Sequence, residues 1–236
     1  TDSRLKRVAL KFCADQQDKL RREAGLLQRV RHENICGLYV DFPSQDGGLF
    51  VMCLELLPGG TFAEVMKAAP SNRVREFEVT RMAFDVLQAL SFMHSQDVIH
   101  RDIKPSNIML TTTLDGQSVF KIIDLGISVM EHGSDVSDTL LTSTMGLAKA
   151  IGTPHYMSPE QFTEGMVVDQ RTDIWSLGVV MYHALTGVLP FAPSEKQDTT
   201  KIQHSITCTE PTPVESVLDK VGAISEGISD LIMDML

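Results

Sequence analysis

The chain changes character at Pro58-Gly59-Gly60, and this change limits the folds open to it. Before it, residues 8–12 are Val-Ala-Leu-Lys-Phe. In an extended chain Val8, Leu10 and Phe12 share one face and Lys11 lies on the other, which predicts a strand. Residues 35–42 and 48–57 predict two further strands, and residues 16–30 predict a helix. After the break, apolar residues recur at helical steps. We therefore expect an α+β chain with a β-rich first part and a helix-rich second part.

Two long helices and one hairpin are predicted in the second part. Apolar residues between positions 79 and 93 recur at steps of three and four, which indicates one buried helix face. Residues 174–185 are apolar almost throughout and are followed by Gly187, as in a buried helix that ends at a glycine. Asp115-Gly116 separates two short apolar runs and predicts the turn of a hairpin.

Composition excludes several classes of protein. The net charge of −10 argues against a broad nucleic-acid surface, which needs clustered Lys and Arg. No apolar run approaches the roughly 20 residues that cross a bilayer, so we expect no membrane association and an intracellular, cytoplasmic protein. The four cysteines form no C-x-x-C pair, which favours plain buried thiols over a zinc site or disulfides.

Residues 100–107, His-Arg-Asp-Ile-Lys-Pro-Ser-Asn, carry the clearest chemical signal, together with Asp124-Leu125-Gly126. Carboxylate and amide oxygens such as those of Asp124 and Asn107 suit Mg²⁺. A carboxylate such as that of Asp102 can accept the proton of a hydroxyl group. Phosphoryl transfer needs these elements, since it depends on metal ions, a proton acceptor and tight positioning.

With further motifs in a fixed order, the chain resembles the protein kinase family. Val8-Ala9-Leu10-Lys11 precedes these loops, while Ser158-Pro159-Glu160 and residues 173–178 follow them. The resemblance runs from residue 8 to about residue 190. It implies a bilobal protein-kinase-like fold, with a small β-rich N-lobe, incomplete here, in residues 1–57 and a larger helical C-lobe in residues 58–236.

The resemblance also implies ATP and Mg²⁺ as cofactors and assigns roles around the transferred phosphate. Asp102 would orient the substrate hydroxyl, and Lys104 would lie against the phosphate. Asn107 and Asp124 would hold the metal. Lys11 would hold the α- and β-phosphates.

Other positions would hold the nucleotide or position Lys11. Glu23 would pair with Lys11, although arginines on the same predicted helix offer it a surface ion pair instead. Ala9 and Met109 would enclose the purine ring. Leu54 occupies the gatekeeper position, and the backbone from Glu55 to Leu57 would bind adenine as the hinge.

The implied substrate is a protein serine or threonine. Lys104-Pro105 and Gly152-Thr153-Pro154 resemble serine/threonine kinases, in which Thr153 would bond toward Asp102 and Lys104. Thr61 and His183 stand where kinases directed by basic residues tend to carry acids, so we expect no strong requirement for arginine before the acceptor.

Arg101 indicates control by phosphorylation of the segment before Ser158. An upstream kinase or the chain itself would modify Thr142, Ser143 or Thr144.

One motif of the family is missing. No G-x-G-x-x-G precedes Lys11, so we expect a domain truncated at both ends, with an exposed sheet edge, exposed apolar surface and poor stability. An alternative function is therefore a pseudokinase-like scaffold that does not transfer phosphate. The presence of Lys11, Asp102, Asn107 and Asp124 together favours the enzyme, because a scaffold has no chemical need for all four.

Overall fold

A small antiparallel sheet forms the first part of the chain. The computed structural model describes residues 7–113, 115–125, 129–130, 154–163, 165–191, 198–218 and 224–236. The strands are β1 (Val8–Cys13), β2 (Leu38–Pro43) and β3 (Phe50–Glu55), in the order β1-β3-β2. Helix α1 (Gln17–Arg29) packs on one face and buries Leu20, Ala24 and Leu27. The prediction of a strand–helix–strand–strand beginning is thus confirmed.

The opposite face of this sheet is apolar and exposed. Leu10 lies opposite Cys53 and Phe12 lies opposite Val51, and the side chains of Leu10 and Phe12 are 58% and 64% exposed. Within the described residues β1 is an edge strand. An edge and an apolar face of this kind are surfaces on which another segment can pack. The expectation of a truncated domain stays a prediction.

Helices dominate the second part of the chain. They are α2 (Phe62–Ala68), α3 (Glu76–Ser95), α4 (Arg171–Thr186), α5 (Thr199–Cys208), α6 (Val214–Val217) and α7 (Glu226–Met235). Helices α3 and α4 pack together in the main core, and α7 packs on α4. Helix α4 ends at Gly187, whose φ of +77° suits a glycine, as the sequence predicted. Helix α2 was not predicted; Thr61 caps it through a capping box with Glu64.

A hairpin in the second part of the chain also forms hydrogen bonds with the first part. Its strands are β5 (Ile108–Thr112) and β6 (Ser118–Ile122), and its turn contains Asp115-Gly116, as predicted. Another short pair joins β4 (Val98–Ile99) to β7 (Val129–Met130).

The strand predicted from residue 35 begins only at Leu38. Residues 34–36 bond to β6 instead: Ile122 N–H donates to Asn34 O and Cys36 N–H donates to Ile122 O, both at 2.8 Å. This local apolar run was read as one strand, but its first residues bridge to the hairpin and only its later ones join the sheet. The third strand likewise spans only residues 50–55 of the predicted 48–57.

The prediction of four buried thiols is wrong. Of the four free cysteines only Cys36 is buried; Cys13 and Cys53 are intermediate, and Cys208, at the end of α5, is exposed. The exposure depends on where each element packs, which spacing does not encode. Among the described residues no helix is both long and apolar enough to cross a membrane.

Candidate active site

The loop between β4 and β5 brings three of the predicted residues together. Lys104 Nζ donates to Asp102 Oδ2 at 2.7 Å, and Asn107 Nδ2 donates to the same oxygen at 2.9 Å. Asn107 Nδ2 also donates to the backbone oxygen of Asp102 at 2.9 Å. Asp102 and Lys104 are each 18% exposed. The Asp102 carboxylate is therefore held in one orientation at the surface of the loop, with a positive charge beside it.

A buried aspartate holds this loop from below. Asp173, at the start of α4, is fully buried and accepts hydrogen bonds from His100 N at 3.0 Å and from Arg101 N at 2.8 Å. His94 Nε2 lies 2.8 Å from Asp173 Oδ2. Arg101 has a φ of +66°, an unusual conformation for a residue with a side chain. Asp173 opens the motif of residues 173–178, but no sequence pattern indicated its contact with His94, because this contact joins two distant helices.

Asp124 follows strand β6 and lies beside the same loop. Ile123 N–H donates to the backbone oxygen of Asn107 at 2.9 Å, which fixes the chain one residue before Asp124. Asp124 has a φ of +63°, and its side chain is 47% exposed. A strained conformation at an exposed carboxylate is typical of functional sites.

Lys11 links the sheet to Asp124. Its Nζ lies 2.7 and 2.8 Å from the two carboxylate oxygens of Glu23 and 3.2 Å from Asp124 Oδ1. Burial acts to lower the pKa of Lys11, but the hydrogen bonds and charges of Glu23 and Asp124 raise it overall. Burial raises the pKa of Glu23, and the contact with Lys11 offsets this only in part. Lys11 is thus held as a cation between two carboxylates.

The residues predicted to hold the purine come from three elements. Ala9 pairs with Leu54 in the β1–β3 register, and both are partly buried. Met109 of β5 bridges to Thr61, while Gly59 N–H donates to Leu110 O at 3.0 Å. Leu57 is 6% exposed. The segment after β3 is thus tied to β5, and the predicted base-binding residues are distributed around this junction.

Several contacts at the predicted hinge were not anticipated. Lys121 Nζ of β6 donates to Glu55 Oε2 at 2.9 Å, and Gly37 N–H donates to the same oxygen at 3.1 Å. Cys36 Sγ lies 3.8 Å from Glu55 O. The alternation of β6 could have indicated a role for Lys121, since a lysine stands between Phe120 and Ile122.

Asn107 and Asp124 fit the predicted magnesium ion by their donor chemistry. Because the Asn107 side-chain nitrogen donates to Asp102, its Oδ1 is the atom left to act as a metal ligand. Asp124 supplies an accessible carboxylate oxygen. Both are hard oxygen donors, which Mg²⁺ prefers. Thr153 and the predicted phosphorylation positions Thr142, Ser143 and Thr144 lie outside the described residues.

Comparison with known proteins identifies the class. The family model described as "Protein kinase domain" matches residues 3–236, so the chain belongs to the protein kinase domain family. The prediction of a protein-kinase-like α+β fold is therefore confirmed. The division at residues 57 and 58 stays a prediction.

Individual relatives are protein kinases by name, and two of the three described below are named as serine/threonine kinases. A probable serine/threonine-protein kinase of Clostridium acetobutylicum is 33% identical over 173 residues, which cover 73% of this chain and 24% of that protein. Serine/threonine-protein kinase PknB of Mycobacterium tuberculosis is 35% identical over 178 residues (73% and 26%). Calcium-dependent protein kinase 4 of Plasmodium falciparum is 31% identical over 236 residues (98% and 40%). The chain thus spans between about a quarter and two fifths of the length of these relatives.

Proposed function

We propose that this chain is the catalytic part of a protein serine/threonine kinase that transfers the γ-phosphoryl group of Mg-ATP to a protein hydroxyl. One observation carries the proposal: a continuous set of contacts runs from Glu23 through Lys11 to Asp124, and the residue before Asp124 bonds to Asn107, which in turn bonds to Asp102. A cation, three carboxylates and an amide are thereby assembled from separate elements, and phosphoryl transfer requires groups of these kinds.

Each residue has a role that follows from its contacts. Lys11, released from Asp124, binds phosphate oxygens while Glu23 keeps its ammonium group in place. Asn107 Oδ1 and Asp124 would hold Mg²⁺. Bound Mg²⁺ neutralises the charge that develops on the transferred group. Asp102 accepts the hydroxyl proton, and Lys104, at 2.7 Å from it, supplies positive charge beside the phosphate.

The test compares three proteins in the presence of Mg²⁺ and γ-labelled ATP. We expect the unchanged chain to label a general protein substrate on serine and threonine. Asp102→Asn should reduce labelling by roughly 10²- to 10⁴-fold while nucleotide binding is retained. Asp230→Asn, a change at an exposed position on α7, serves as the matched control and should be without effect.

The outcomes separate the kinase from the scaffold. Nucleotide binding without label transfer by the unchanged chain would favour the pseudokinase-like scaffold. Equal labelling by the unchanged chain and by Asp102→Asn would contradict the role of Asp102. Label found mainly on tyrosine would contradict the serine/threonine preference.

The substrate preference is proposed from two side chains. The Thr61 hydroxyl takes part in the cap of α2 with Glu64, and His183 Nδ1 lies 2.8 Å from the hydroxyl of Tyr156. Burial lowers the pKa of His183, with a further contribution from His155. A neutral imidazole does not attract a guanidinium group, so a peptide array should show no dominant arginine before the acceptor. An array dominated by such an arginine would contradict this.

Control by phosphorylation is supported by Arg101. Its Nε is buried and has no hydrogen-bond partner in the described part of the chain, and burial lowers its pKa. A phosphate group would accept hydrogen bonds from the Arg101 side chain, and its negative charge would stabilise the guanidinium cation. Replacing Thr142, Ser143 and Thr144 with alanine should therefore lower activity in the phosphorylated protein. Unchanged activity would exclude these positions as the switch.

A further inference from the structure

Contacts from two separate segments, residues 36–37 and strand β6, converge on Glu55, the last residue of β3. Its N–H donates to Gly37 O at 2.7 Å, and its Oε2 accepts from Gly37 N at 3.1 Å. The same Oε2 accepts from Lys121 Nζ at 2.9 Å. Both the backbone N–H and the carboxylate of Glu55 are thus held by hydrogen bonds, which restricts rotation about the bonds of this residue.

The ion pair between Lys121 and Glu55 differs from an ordinary surface pair. The two side chains are only 13% and 26% exposed, so solvent screens the interaction less than it screens exposed pairs. Lys121 stands opposite Met109 in the hairpin, on the strand that continues to Asp124. Lys121 therefore joins the end of β3 to the strand that precedes Asp124, one of the two proposed metal ligands.

The carbonyl oxygen of Glu55 retains capacity for a strong donor. The Cys36 thiol lies 3.8 Å from this oxygen, and a thiol is a weak donor. Burial raises the pKa of Cys36 to about 11, so this thiol stays protonated at neutral pH. A carbonyl oxygen can accept two hydrogen bonds. If the backbone from Glu55 to Leu57 binds adenine as predicted, this oxygen would accept a hydrogen bond from the adenine amino group.

We propose that Lys121 is a positioning residue for the nucleotide base. By holding the Glu55 carboxylate against Gly37, Lys121 sets the direction of the Glu55 carbonyl oxygen and so the strength of its bond to the adenine amino group. The inference rests on the proposed function, because it requires that the chain bind ATP at this segment.

The experiment measures how a substitution at Lys121 affects the binding of ATP and of a nucleotide analogue. Binding of ATP and of purine riboside triphosphate, which lacks the amino group, is measured by calorimetry with Mg²⁺ for the whole chain and for Lys121→Met. We expect the variant to bind ATP about three- to tenfold more weakly, the effect of one neutral hydrogen bond, and to bind the analogue as the unchanged chain does. Lys121→Arg should restore ATP binding.

Two further proteins make the result specific. Lys67→Met changes an exposed lysine on α2 and should bind both nucleotides normally. Glu55→Gln keeps the backbone but removes the charge, and should reproduce the loss that is selective for ATP. Without nucleotide, the Gly37 amide should exchange with solvent faster in Lys121→Met than in Lys67→Met, because its acceptor is no longer held.

The alternatives lead to different results. Equal weakening of ATP and analogue by Lys121→Met would show general damage and overturn the inference, as would unchanged or tighter ATP binding. A chain that binds neither nucleotide before any substitution overturns the proposed function as well. Normal ATP binding by the unchanged chain with no effect of Lys121→Met overturns the positioning role alone.

Discussion

Lys11 and Glu23 form a bidentate ion pair in which Nζ lies 2.7 and 2.8 Å from the two carboxylate oxygens. Glu23 is 3% exposed and Lys11 is 37% exposed, so the pair joins the interior of the sheet and helix to the open side of the site. The pair does not depend on the arginines of α1, which were the alternative partners for Glu23.

We predict that Glu23→Gln weakens ATP binding roughly three- to tenfold, because Lys11 loses the charge that orients it. Stability should be unchanged or higher, since burial raises the pKa of Glu23 and the folded protein gains from losing that charge. Calorimetric titration and a thermal melt measure the two effects. Glu33→Gln, at an exposed position, is the control. If Glu23→Gln binds ATP as tightly as Glu33→Gln does, the role of the pair is refuted.

Asp173→Ala should lower the free energy of unfolding by about 3 kcal/mol or more. The substitution leaves the amides of His100 and Arg101 buried without their acceptor and removes the partner of His94. Urea unfolding measures the change. Asp230→Ala, on the exposed face of α7, should stay within about 0.5 kcal/mol of the unchanged protein. A similar small change for Asp173→Ala would mean that the loop is held by other contacts.

Two glycine substitutions should change stability in opposite directions. A Cβ at Gly59 would lie 2.3 Å from the backbone oxygen of Leu110, so Gly59→Ala should cost about 1–3 kcal/mol. A Cβ at Gly25, in the middle of α1, would meet nothing within 4 Å, so Gly25→Ala should stabilise by about 0.5–1 kcal/mol. Thermal melts measure both, and a stabilising Gly59→Ala would contradict the close approach.

Cys36 should react much more slowly than Cys208 with iodoacetamide. Burial raises the pKa of the Cys36 thiol from 9.0 to about 11, which at pH 8 reduces its thiolate about a hundredfold, and the side chain is 7% exposed. Because the folded pKa is raised, its reactivity should continue to increase up to about pH 11. Mass spectrometry of alkylated peptides follows both residues, with the exposed Cys208 as the reference. Equal rates at pH 8 would show that the segment around Cys36 opens readily.

Much of the architecture follows from local pattern. The alternation around Lys11 predicted β1, the apolar steps from Val79 predicted α3, and Gly187 was correctly identified as the end of α4. Motif order was sufficient to predict the family, because the match depends on residue types and spacing. Loop residues such as Asp102 and Asn107 were proposed for the site for the same reason, and their roles stay predictions.

The sequence by itself determined the fold class, the family, most of the strands and the three longest helices of the described part, since these depend on interactions between near neighbours in the chain. Only the tertiary structure decided that Lys121 bonds Glu55 and that His94 meets Asp173, across 66 and 79 positions. It also decided that residues 34–36 leave the sheet for the hairpin. Such contacts depend on the path of the whole chain and on what each buried polar group must find as a partner, and no local pattern contains that information.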